Sequence, residues 1–216
     1  MVTAAAAAQR PRSQAKLIFF IVFGIATVFV TYMKNAHVLD PSSPIAQHFA
    51  PAKGYLIVHA FFGVLAMVLG AFQLSNRLRA RYLPVHRKLG YVYALGVFIA
   101  GPFAIPVAMR TGTPVLTAAA ATQSFGWMLC TAIAIYCIRR GNVAEHRRWM
   151  MRGYPFAMIF TVARLIIPIP ALMRMGQTGV EIVVWSTIAA AAILPNVVLE
   201  WRSISARPAA KVARAH

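Results

Sequence analysis

Two histidines occupy positions where an imidazole could do chemistry. His86 stands in RLRARYLPVHRKLG, from Arg77 to Gly90, and His146 stands in RRGNVAEHRRWMMRGY, from Arg139 to Tyr154. In each stretch a basic, polar segment gives way to a long apolar run, and an HR pair marks the change. Histidine is the commonest side-chain metal ligand in its neutral form. Two imidazoles facing each other across a helical bundle can hold a haem iron from both sides. Gly90, one turn after His86, would leave room beside the ring. The competing reading places both rings at an interface, bonded to carbonyls or to headgroups.

Three more residues join the list. His59 lies at the head of an apolar run, with Gly63, Ala66, Gly70 and Gln73 on its face at helical spacing. Small residues there admit a flat cofactor, or simply another helix. Arg164 sits inside an apolar run about five helical turns after His146. A guanidinium at membrane depth is costly unless it faces the bundle interior or water. No Asp or Glu lies mid-run to pair with it. Its expected partners are Gln123, backbone carbonyls or a ligand: a haem propionate, a quinone oxygen or an anionic substrate. A purely structural arginine bonded to carbonyls is the alternative.

The elements that must position these residues are membrane helices. The chain of 216 residues is 60% hydrophobic and only 12% charged, where soluble domains carry roughly a quarter charged residues. Its net charge of +18 comes from 22 Lys and Arg against 4 acids. The bases cluster between apolar runs, which points to anionic lipid headgroups as partners and away from nucleic acid. Cys130 and Cys137 lie two turns apart in one run, too far along a helix to bridge. No CxxCH is present for covalent haem attachment.

The apolar runs predict an all-α bundle of six transmembrane helices: Leu17–Met33, Tyr55–Leu74, Pro84–Met109, Val115–Ile138, Val143–Met173 and Ile182–Leu199, each near the length a bilayer requires. Residues 1–16 read as a mobile basic tail, 17–200 as one membrane domain, and 201–216 as a basic tail. The first run has no cleavage site behind it and reads as an uncleaved helix. Asn142 and Glu145 have capping-box spacing, so a helix should start at Val143; Pro155 should kink it. Outside the spans, only Lys34, Lys53, Arg110 and Arg174 fall in outer segments once the N-terminus is put inside. That asymmetry predicts both termini in the cytoplasm of a multi-pass protein of the inner membrane. Tyr82, Trp149, Tyr154 and Trp201 read as an aromatic belt.

HAFFG (59–63), QLSNRLRARYLPVHRKLGYVY (73–93), EHRRWMMRGYPF (145–156) and ARLIIP (163–168) together resemble a bacterial family of predicted membrane proteins known as domain of unknown function 2306, over about Tyr55 to Pro170. That resemblance implies no particular activity. More loosely, six spans with histidines on the middle four are similar to the di-haem transmembrane cytochromes b that move electrons from ascorbate. In that family spans two and four carry one histidine pair, and spans three and five the other. His86 and His146 match the second pair. His59 matches span two, but span four offers only Gln123, so the resemblance implies one haem b rather than two.

The reading is a b-type haem electron-transfer protein with His86 and His146 as axial ligands and a quinone or another redox partner. His59, Gln123 and Arg164 would supply polar contacts. The alternative is a non-catalytic assembly factor or small-molecule carrier, in which those last three line a polar cavity without cofactor.

Overall fold

A long apolar run has no water to bond its amides in lipid, and a helix satisfies them all internally. The computed structural model describes residues 22–30, 32, 38 and 40–205, and every regular element among them is helical. Residues 22–30 belong to α1. There follow α2 (Pro44–Phe49), a 3-10 turn (Ala50–Ala52), α3 (Lys53–Gln73), α4 (Asn76–Arg81), α5 (Leu83–Thr111), α6 (Pro114–Arg139), α7 (Val143–Ile166), α8 (Pro170–Met173) and α9 (Gln177–Ser205).

Local sequence explains the starts. Ser75, Thr113 and Asn142 each turn a side-chain oxygen onto the amide three residues ahead, capping α4, α6 and α7. Thr113 also donates to Glu181, which ties the start of α6 to the start of α9. The box at α7 is half formed: Glu145 turns to Arg148 instead of the Asn142 amide. α7 runs unbroken through Pro155, which has no amide to offer the Met151 carbonyl.

Among the described residues four helices are long and apolar enough to cross a membrane: Pro44–Gln73, Leu83–Thr111, Pro114–Arg139 and Gln177–Trp201. α7 falls short of that composition because Glu145, Arg147, Arg148 and Arg152 crowd its first half and Arg164 lies in its last turn. The expected span to Met173 also stops early. α7 ends at Ile166, and Pro168 and Pro170 cannot continue its bonding, so α8 forms separately. The expected turn to Val180 is shorter too: Gly176, at φ 57°, makes the bend, and α9 begins at Gln177. Of the expected first span, 17–33, residues 22–30 and 32 are described and helical; residues 1–16 and 206–216 of the two basic tails lie outside the described residues.

α3, α5, α6 and α7 form a ring, each packed on the next and α7 closing on α3. The diagonal pairs, α3 with α6 and α5 with α7, touch little. α9 lies outside against α7 and α6. Thr27 of α1 meets Thr161 of α7 at 3.4 Å. Small residues set the approach. An added Cβ at Gly96 would stand 3.1 Å from Ala66, at Gly126 2.9 Å from Phe156, and at Gly153 3.0 Å from Cys130. The opposite faces expose Phe61, Phe72, Leu95, Phe125, Leu129, Ile193 and Val197, an apolar coat that suits lipid and would aggregate in water.

Candidate functional site

His86 and His146 hold equivalent places. Each is the fourth residue of its helix, and each backbone amide bonds the carbonyl of the capping residue, Tyr82 or Asn142, at 3.0 Å. α5 and α7 run the same way, so both imidazoles lie at one end of the bundle, on the diagonal pair of the ring. They lie within electrostatic reach of each other. His146 Nδ1 lies 2.9 Å from the Ala134 carbonyl of α6. A carbonyl accepts only, so that nitrogen carries the proton, and in the neutral ring Nε2 is the one left with a lone pair. His86 Nδ1 is buried and has no hydrogen-bond partner. Such an orphan costs roughly 1–3 kcal/mol, a cost that a metal or a ligand donor would remove. The space expected beside Gly90 is taken: Gln73 Oε1 lies 3.5 Å from where a Cβ would stand. Gln73 Nε2 donates to the His86 carbonyl at 3.0 Å.

The other candidates do not join them. His59 lies 14 residues from Gln73 on α3, roughly 20 Å along the axis at 1.5 Å per residue. Its Nδ1 donates to the Ala100 carbonyl of α5 at 2.9 Å. Gln123 donates to the Phe156 carbonyl at 3.1 Å, and Ser124 to the Gly101 carbonyl at 2.9 Å. These bonds fasten α3 to α5, α6 to α7 and α6 to α5. Arg164 does not reach Gln123, contrary to expectation. It sits in the last turn of α7 rather than mid-span, with its guanidinium 4.6 Å from the centre of the Phe160 ring. There it lies at the helix end that favours a cation. His59, Gln123 and Arg164 thus serve separate partners. Among the described residues no three His, Cys, Asp or Glu converge on a metal position; what the fold brings together is a pair of imidazoles.

The middle of the ring is filled by side chains whose spacing does not single them out. Tyr154, expected in the aromatic belt, is 4% exposed and donates to the Met67 carbonyl at 3.2 Å. Tyr93 is fully enclosed and accepts from Trp127 Nε1 at 3.2 Å. Both rings press on Gly70. The glycine was the available signal, since a small residue facing the interior requires a large one opposite. Of the other belt residues, Tyr82 and Trp201 are exposed and Trp149 is half-buried beneath Arg152. Cys130 is buried and Cys137 half-buried, both free.

One family pattern, described as "Predicted membrane protein (DUF2306)", matches residues 56–204. No curated protein and no solved structure matches the chain. The looser likeness to di-haem cytochromes b gains no support from these comparisons.

Proposed function

The chain belongs to the DUF2306 family of predicted membrane proteins, and from that premise we propose a six-span protein of the bacterial cytoplasmic membrane, both termini inside, that binds one b-type haem through His86 and His146. The observation that carries the haem is the unpartnered, buried Nδ1 of His86, with a second imidazole near it on the diagonal helix of a four-helix ring. Two imidazoles are the donor set of a six-coordinate, low-spin haem iron. The Ala134 carbonyl orients the His146 ring.

A bound haem would supply one-electron transfer, at a potential tuned by its axial ligands and by burial. The chain's own part is to hold and shield. His86 and His146 would ligate, each placed by the first turn of its helix. Tyr93, Tyr154, Trp127 and Met67 fill the ring beyond them and exclude water from the interior. The concentration of Arg and Lys at the histidine end supports the assignment of that end to the cytoplasm.

The test is spectroscopic. Protein purified in detergent from haem-replete cells is expected to carry about one reducible b-type haem with a low-spin spectrum. His86→Ala or His146→Ala should each abolish the low-spin form, since loss of one ligand opens the iron. His59→Ala should leave it unchanged. A folded, monodisperse and colourless wild-type protein would end this reading.

A further inference from the structure

The two corners that carry the histidines are fastened differently. A short turn joins α6 to α7, and there the His146 ring is itself a fastener: its Nδ1 donates to the Ala134 carbonyl of α6 at 2.9 Å. A longer connection through α4 joins α3 to α5. The fastener there is Gln73, the last residue of α3. Its Nε2 donates to the His86 carbonyl at 3.0 Å. His86 thus gives this corner its backbone oxygen and keeps its ring out of it. The ring's Nδ1 is buried with no hydrogen-bond partner.

A glutamine is rarely buried unless its amide is bonded, and Gln73 is 7% exposed. Within α5 the His86 carbonyl takes the Gly90 amide, one turn on. Its second lone pair is the one Gln73 uses. Gly90 admits this arrangement. A Cβ there would already touch the Gln73 amide, 3.5 Å from Oε1 and 3.9 Å from Cδ, so the bare backbone lets the amide lie alongside the turn. The His86 amide in turn bonds the Tyr82 carbonyl at 3.0 Å. His86 is therefore held at both backbone atoms, by its own helix on one side and by α3 on the other. A side chain on a backbone held in this way loses less freedom when it meets a ligand.

We propose that Gln73 is the positioning residue of the His86 site: it fastens α3 to the first turn of α5, fixes the imidazole in place and leaves the ring free for a ligand. That the ligand is haem rests on the function proposed above; the positioning of the ring does not.

The test variant is Gln73→Met, which keeps the length of the side chain and loses the donor. Its match is Ser124→Ala, which loses another buried donor to a neighbouring helix, bonded to the Gly101 carbonyl at 2.9 Å. Each should lower Tm by a few degrees. Two readouts separate positioning from stability. In haem-free protein carrying isotope-labelled histidine, NMR should show the His86 ring resonances shifted or broadened in Gln73→Met, with those of His146 unchanged. Ser124→Ala should leave both as in wild type. In titrations of haem into the same proteins, Gln73→Met should bind about 10-fold more weakly, and Ser124→Ala within about 2-fold of wild type. Where Gln73→Met fails to fold, Gln73→Asn, which withdraws the amide by one methylene, is expected to give the same two results. A wild type that takes up no haem ends the haem reading, and the NMR arm then decides the positioning alone. His86 resonances unmoved by loss of the Gln73 donor overturn the proposal, as do equal effects of the Gln73 and Ser124 variants.

Discussion

Gly70→Ala probes the packing that positions everything else. A Cβ added there would stand 2.6 Å from two ring carbons of Tyr154 and 3.1 Å from Tyr93. Neither ring can withdraw freely. Tyr154 is fastened to the Met67 carbonyl, and Tyr93 to Trp127. Overpacking of this kind costs about 1–3 kcal/mol, and breaking the Tyr154 bond adds about 1 kcal/mol. The better helix propensity of alanine returns about 1 kcal/mol. The net loss of about 1–3 kcal/mol corresponds to a Tm lowered by roughly 3–10 °C at this chain length. Gly63→Ala is the matched control on the same helix. Its nearest neighbour would be Ala100 Cβ at 3.9 Å, an ordinary contact, so propensity alone should raise Tm by a few degrees. Thermal unfolding in detergent, followed by circular dichroism, measures both. In a Tyr154→Leu background the Gly70 penalty should largely vanish, as expected for residues in direct contact. If Gly70→Ala is as stable as wild type, or if both glycine variants shift together, the packing argument fails.

Further outcomes are equally direct. Reporter fusions after Lys34, Arg110 and Gly176 should read outside, and those after Arg79 and Arg140 inside; one reversed loop breaks the six-span topology. Asn142→Ala removes the oxygen that caps α7 and should cost about 1 kcal/mol, seen as a Tm lower by a few degrees. Trp127→Phe removes the donor to the Tyr93 hydroxyl and should cost a similar amount. Arg164→Leu should change Tm little, since its contact is one ring in the last turn of α7. It should also leave any haem spectrum unchanged, because 18 residues at 1.5 Å place it about 27 Å from His146.

Composition and periodicity alone identify a helical membrane protein. The starts of α5, α6 and α7 are written in Pro84, Pro114 and Asn142, because caps and prolines act on amides a few residues away. The equivalence of His86 and His146 was legible for the same reason: each follows a helix start by a fixed number of residues. What lay beyond reach was rotation about the helix axes. Tyr154 reads equally well as a belt residue or a core residue until Gly70 is seen beneath its ring. Arg164 and Gln123 look like partners until Gln123 is seen on the Phe156 carbonyl and Arg164 on Phe160. In lipid every helix has an apolar surface all round, so hydrophobicity cannot say which face turns inward. Close contacts at Gly70, Gly96, Gly126 and Gly153 decide it, and those contacts exist only in the folded bundle.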